Sequence, residues 1–151
     1  MFALFSHVGI VVRDLDAAIA RWAGVFGLEV VDRFEVPEEG ARSVVLSTGG
    51  AYGEATCVEL VAPVDNTRPG STIAKRLADH GEGVFHLAFR VSDADRAAAT
   101  LTDAGAQCAV LPPAGPETTS RAVVHPRSAN GVLIELLGGP PPARTSPRNG
   151  A

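Results

Sequence analysis

Two stretches of the chain, SHVGIVVRDLDAAIA at residues 6–20 and FHLAFRVSDADRAAA at residues 85–99, repeat one pattern. His7 aligns with His86 at an offset of 79 residues, and the aspartates and alanines that follow align at the same offset. Each stretch begins as an apolar strand and continues, after an aspartate suited to cap a helix, with helical spacing of apolar residues. The repeat predicts two copies of one structural unit.

The segments after these stretches extend the repeat. In each half the predicted helix is followed by three short β-rich runs, so that both copies have the order βαβββ and the fold class is α+β. We assign module one to about residues 5–63, a bridge with a short helix to 64–83, and module two to about 84–138. Together they form one domain, residues 1–138. The remaining residues, 139–151, are rich in Pro, Gly, Ser and Arg, and we predict that they are disordered.

The last predicted strand of each half carries a glutamate among apolar residues, Glu59 in TCVELVAP and Glu135 in GVLIELLG. A buried carboxylate is costly unless it is paired, protonated or bound to a metal. If the two modules pack about a pseudo-twofold axis, these glutamates can meet His7 and His86. Two imidazoles and two carboxylates suit a divalent ion such as Co²⁺, Mn²⁺, Ni²⁺, Zn²⁺ or Fe²⁺. We therefore predict a metal site made by His7, Glu59, His86 and Glu135.

Composition excludes several other classes of function. The chain of 151 residues is 46% hydrophobic and 20% charged, which is typical of a folded globular protein. Its net charge of −4, without a basic block, argues against a nucleic-acid partner. No apolar run approaches the length of a membrane span and the first residues do not resemble a signal peptide, so we expect a cytoplasmic protein without a membrane partner. Its two cysteines are predicted to be buried thiols.

Three segments resemble the vicinal oxygen chelate superfamily, and within it most closely the methylmalonyl-CoA epimerases. They are HVGIVVRDLDAAIARWAGVFGLEVV, STIAKRLADHGEGVFHLAFRV and HPRSANGVLIELL, and the similarity covers about residues 5–138. The resemblance implies paired βαβββ modules that form a cupped mixed sheet around a metal ion. It also implies that the four ligands are His7, Glu59, His86 and Glu135.

The resemblance further implies a 1,1-proton transfer at the α-carbon of an acyl-CoA, with the metal as Lewis acid and Glu135 as candidate base as well as ligand. The family position for a second carboxylate is occupied here by Ser43. Glu117, in the loop before HPRS, is a candidate substitute acid. Glu38 and Glu39 lie in the PEEG turn and could reach into the site, but we favour their interpretation as solvent-exposed turn residues.

The resemblance also implies a homodimer and a small-molecule partner, an acyl-CoA. Its phosphates could contact one of four basic residues: Lys75, Arg76, Arg121 and Arg127. Two further classes of function stay open at this point. One is another metalloenzyme of the superfamily, a glyoxalase-type lyase, a dioxygenase or a secondary-metabolite tailoring enzyme. The other is a non-catalytic binding protein, against which the complete set of four ligands argues.

Overall fold

The structure of the chain is a computed structural model that describes residues 1–49, 56–115 and 118–140. These residues form one mixed sheet of eight strands, in the order β2-β3-β4-β1-β5-β8-β7-β6. The strands are β1 Leu4–Val11, β2 Glu29–Val36, β3 Ala41–Ser47, β4 Cys57–Pro63, β5 Gly83–Val91, β6 Cys108–Leu111, β7 Ser120–Val124 and β8 Leu133–Gly138.

Among the described residues, three α-helices connect the strands, together with the short 3₁₀ turns Pro37–Glu39 and Pro126–Ser128. Helix α1 runs Leu15–Ile19 and continues as a π-helical segment Ala20–Val25, α2 runs Thr72–His80, and α3 runs Ala94–Asp103. The aspartates expected to cap α1 and α3 do so: Asp14 accepts a hydrogen bond from the amide of Ala17, and Asp93 accepts one from each of two first-turn amides. These caps satisfy amides that would otherwise have no partner within the helix.

The predicted α+β fold with two βαβββ modules is confirmed. Module one comprises β1, α1 and β2–β4, and module two comprises β5, α3 and β6–β8. Each module pairs its first strand in parallel with its last, and the two first strands, β1 and β5, pair antiparallel at the centre of the sheet. The sequence-based domain limits stay a prediction, and the predicted disordered tail lies outside the described residues from residue 141 onward.

Helices α1 and α3 cover one face of the sheet. Under α1, Leu46 and Leu60 are fully buried, and under α3 Leu136 is fully buried. Burying one such leucine stabilises the fold by about 1.5–3 kcal/mol relative to an exposed one. Because side chains alternate across a strand, the neighbours of these leucines, among them Glu59 and Glu135, face the opposite, concave side. The apolar core therefore determines which residues enter the cup.

The sheet curls until its two ends meet. Glu39, in the turn between β2 and β3, contacts Arg121 on β7 at 2.6 Å, although three or more strands separate them in the sheet. The ring of Phe34 on β2 lies so close to Gly115 that an added Cβ there would be 3.2 Å from it. Helix α2 closes one end of the resulting cup through Ile73. Within the described part of the chain, no helix is long and apolar enough to cross a membrane.

Candidate metal centre and cavity

The four residues predicted as ligands come together at the centre of the concave face. His7 Nε2 lies 2.8 Å from Glu59 Oε2 and 2.9 Å from His86 Nε2, and His86 Nε2 lies 3.3 Å from the same Glu59 oxygen. Glu135 Oε1 lies 3.8 Å from His7 Nε2 and 3.9 Å from His86 Nε2. The ligand atoms of His7, His86 and Glu135 all lie within 4.8 Å of one another.

The central pair of strands explains how two histidines from distant parts of the sequence can touch. His86 is the cross-strand partner of Gly9, and a Cβ at Gly9 would lie 2.2 Å from His86 Cε1. Such a distance is impossible for real atoms, so the His86 ring occupies space that only glycine leaves open. On the other side of the pair, Ser6 Oγ lies 3.2 Å from His7 Nδ1 and helps to orient that ring.

Burial makes an unpaired charge in this cluster unfavourable. His7, Glu59 and His86 are each at most 7% exposed. Burial raises the pKa of the Glu59 carboxyl, but His7 and His86 outweigh it and hold that pKa well below its usual range. Burial lowers the pKa of His86, but the charges of Glu135 and Glu59 outweigh it and the pKa is raised. Both directions mean that a negative charge on Glu59 and a positive charge on His86 stabilise each other.

The donor set fits a divalent metal ion. Imidazole nitrogens and carboxylate oxygens are the ligands of Zn²⁺, Mn²⁺, Fe²⁺ and related ions in proteins. Here two of each converge from four neighbouring strands on one buried point, where two negative charges call for a compensating cation. The predicted grouping of His7, Glu59, His86 and Glu135 is thus present as a geometric cluster, and the site could hold a metal ion.

The cluster lies in a cavity of about 330 Å³ between the two modules. Most of its lining is apolar, including Phe34, Val36, Val61, Phe85 and Leu137. This size and polarity are typical of a small-molecule site, in which a few polar groups orient a ligand against an apolar wall.

Arg121 adds a buried cation to this cavity. Its Nε donates to Glu135 Oε2 at 3.2 Å, and its Nη2 donates to Glu39 Oε1 at 2.6 Å. Burial alone would lower the pKa of Arg121, but Glu135 and Glu39 raise it, so that the guanidinium is firmly charged. Because it is ion-paired inside the cavity, Arg121 does not fit the role of an exposed CoA-phosphate contact suggested from the sequence. Exposed Lys75 pairs with Asp79 instead, and Arg76 donates to backbone carbonyls.

Glu39 is the functional candidate that the sequence interpretation considered but did not favour. Instead of being an exposed turn residue like Glu38, it lines the cavity, and its side chain is 28% exposed. Its local sequence, PEEG, contains two adjacent glutamates and gives no signal for which one turns inward. Only the contact with Arg121, 82 residues away, distinguishes them.

The remaining sequence candidates have different outcomes. Ser43 also lines the cavity and is 2% exposed, and its hydroxyl has no hydrogen-bond partner among the described residues. Glu117, the candidate substitute acid, lies outside the described residues. Both cysteines are thiols as predicted, but only Cys57 is buried, whereas Cys108 is half-buried.

Comparisons with known proteins agree with this geometry. The sequence model of the glyoxalase/bleomycin resistance protein/dioxygenase superfamily matches residues 6–125. The ethylmalonyl-CoA/methylmalonyl-CoA epimerase of Cereibacter sphaeroides is 31% identical over 141 residues, covering 90% of this chain and 98% of that protein.

Two solved structures extend the similarity to the fold. Methylmalonyl-CoA epimerase from Mycobacterium tuberculosis is 34% identical with a TM-score of 0.79, covering 93% of this chain and 90% of that one. A variant of Streptomyces coelicolor methylmalonyl-CoA epimerase in complex with 2-nitronate-propionyl-CoA is also 34% identical with a TM-score of 0.79. That match covers 97% of this chain and 100% of that one.

Proposed function

The chain belongs to the glyoxalase/bleomycin resistance protein/dioxygenase superfamily, and from this membership we propose that it is a metal-dependent epimerase acting on an acyl-CoA. The reaction is a 1,1-proton transfer at the carbon next to the thioester. We propose methylmalonyl-CoA as the substrate because similar proteins are named methylmalonyl-CoA epimerases. The observation that carries the proposal is the convergence of His7, Glu59, His86 and Glu135 on one buried point inside a small-molecule cavity.

His7, Glu59, His86 and Glu135 would hold the metal, which we infer is Co²⁺, Mn²⁺, Ni²⁺, Zn²⁺ or Fe²⁺. When bound, such an ion acts as a Lewis acid that stabilises negative charge developing on substrate oxygens. The glutamates compensate its charge, so that the loaded cluster is close to neutral. Ser6 orients one imidazole, and the absence of a side chain at Gly9 leaves room for the other.

Glu135 is the base in this proposal. Its Oε2 accepts a hydrogen bond from Arg121, which holds the carboxylate in place, while its Oε1 lies 3.8 Å from His7 Nε2. A base held in place can remove an α-proton without first losing rotamer freedom, which lowers the barrier. The apolar lining of the cavity limits water around the carbanion and strengthens the electrostatic interactions within the site.

Two further properties belong to the same proposal and follow from the resemblance and the composition. We infer a homodimer and a cytoplasmic location. Light scattering on the purified protein measures the first: a mass of about twice 15.6 kDa is expected.

Proton NMR of methylmalonyl-CoA in D₂O tests the proposed activity. We expect rapid loss of the C2 proton signal with the metal-loaded protein, and a rate near the no-enzyme blank after the metal is removed. Glu135→Gln should lower the exchange rate by about 10²–10⁴-fold, because a general base contributes about that much. Exchange no faster than the blank, in a protein shown to hold its metal, would reject methylmalonyl-CoA as the substrate and leave the metal centre to be tested with other carbonyl compounds.

A further inference from the structure

We propose that Glu39 is the second acid/base residue of the site, acting on the opposite face of the substrate carbon from Glu135. This assignment rests on the proposed function, since only a reaction that inverts a carbon centre requires two such groups. A proton must leave from one face and another must arrive at the other. Ser43, at the position where the resemblance implies a carboxylate, cannot exchange a proton in this way.

Within the described part of the cavity lining, Glu39 is the carboxylate left for the role. Among the described residues that line the cavity, the acidic side chains are Glu39, Glu59 and Glu135. Glu59 is in direct contact with both histidines and is 6% exposed, so we assign it to the proposed metal site and not to proton transfer. Glu39 does not contact the histidines and is not one of the proposed metal ligands.

Glu39 and Glu135 enter the cavity from different modules. Glu39 belongs to the turn before β3 in module one, whereas Glu135 projects from β8 in module two. The sheet order places β3 and β8 on different sides of the central β1–β5 pair, and the curl of the sheet brings both side chains to one cavity. A ligand in this cavity would therefore meet a carboxyl group from each module.

Arg121 links the two carboxylates electrostatically. It donates to both of them, at 2.6 Å to Glu39 and 3.2 Å to Glu135, while it is itself at most 8% exposed. The shared guanidinium gives each carboxylate a charged hydrogen-bond partner inside the cavity. The 28% exposure of the Glu39 side chain lets that group exchange protons with water.

Two different carboxyl groups remove and return the proton in this reaction. The α-C–H bond breaks toward the Glu135 carboxylate, and its electron pair delocalises into the thioester as an enolate. The O–H bond of protonated Glu39 then breaks as a new C–H bond forms on the opposite face. Glu135 ends protonated and Glu39 ends ionised beside Arg121. The reverse direction exchanges the two roles, and water restores the starting protonation.

Glu39→Gln tests the assignment, with Glu38→Gln as the matched control in the same turn. Each epimer of methylmalonyl-CoA is incubated separately in D₂O with metal-loaded protein, and both C2 deuteration and epimer composition are measured. In Glu39→Gln we expect epimerisation to fall by about 100-fold or more, while deuterium still enters the one epimer whose C–H faces Glu135. The exposed Glu38 is absent from the cavity lining, so its variant should epimerise as the unmodified protein does.

Two results would overturn the assignment while leaving the proposed function intact. One is a Glu39→Gln variant that epimerises at the rate of Glu38→Gln. The other is a Glu39→Gln variant that loses deuteration of both epimers equally, because that pattern indicates a damaged site and not a missing acid on one face. If the unmodified protein neither deuterates nor epimerises the substrate, the proposed function itself fails, and the role of Glu39 fails with it.

Discussion

The two modules share their strand order and each contributes one histidine and one glutamate to the central cluster. They differ in the side chains next to that cluster. In module one Val45 pairs with Glu59, and in module two Val123 pairs with Glu135, so the two glutamates occupy equivalent positions. The next inward positions are not equivalent in chemistry. Two residues after each glutamate, the strand pairs with Ser43 in module one and with Arg121 in module two.

The first strand of each module repeats this difference. Val61 pairs with Val11 in module one, whereas Leu137 pairs with Arg90 in module two. All of these residues are buried or line the cavity, so at these positions module one has uncharged side chains, whereas module two has two arginines. The duplicated unit thus provides a symmetric cluster of histidines and glutamates, and different residues beside that cluster give the cavity two chemically different sides.

The largest effect is expected for Arg121→Ser, which gives module two the serine that module one has at the equivalent position. Arg121→Ser removes the partner of both Glu39 and Glu135 and leaves a cavity. Because breaking a buried ion pair leaves an uncompensated charge, we expect the free energy of unfolding to fall by about 3 kcal/mol. Chemical denaturation followed by circular dichroism measures it. A loss below about 1 kcal/mol would mean that the two glutamates do not depend on Arg121.

Arg90 is the internal control for that prediction. It is 5% exposed and its Nη1 has no hydrogen-bond partner in the described part of the chain. Replacing a buried ionic side chain by an apolar side chain of similar volume is often neutral or stabilising. We therefore expect Arg90→Met to leave the free energy of unfolding unchanged or to raise it by about 1 kcal/mol. A loss as large as that of Arg121→Ser would contradict the difference between the two arginines.

A smaller effect tests the symmetric part of the comparison. Gly9 lies beside His86, whereas the residue beside His7 in the other module is Ala88. Gly9→Ala should displace the His86 ring and weaken metal binding by about 10–100-fold, as measured by titration of the metal-free protein. Gly24→Ala is the control, because nothing lies within 4 Å of a Cβ at that exposed position. Unchanged metal affinity in Gly9→Ala would show that the strands separate easily.

The smallest effect concerns the two thiols, one in each module. Burial raises the pKa of the Cys57 thiol, despite a hydrogen bond with Ser47 that lowers it, and Cys57 is 3% exposed. Cys108 on β6 is half-buried. At pH 8 we expect a thiol reagent to modify Cys108 at least about tenfold faster than Cys57, and both rapidly in denaturant. Cys108→Ser should remove only the fast phase, and a remaining fast phase would place Cys57 within reach of solvent.

The internal repeat made most of the fold predictable. Strand and helix periodicity are local properties, and the matched histidines and glutamates at near-constant offset indicated which strands would be equivalent. The cluster of His7, Glu59, His86 and Glu135 could be anticipated because an unpaired glutamate in an apolar strand is unfavourable. The inward turn of Glu39 could not, because neighbouring Glu38 has the same chemistry and only a distant contact separates them.

The sequence by itself determined the duplicated βαβββ unit and the set of groups suited to a metal ion, because these depend on short-range pattern and on residue chemistry. Only the tertiary structure decided that Arg121 joins Glu39 to Glu135 and that Gly9 admits the His86 ring. Both contacts depend on the curl of the sheet and on the register of its central strands. These arise from packing over the whole domain, and no single stretch of the chain contains them.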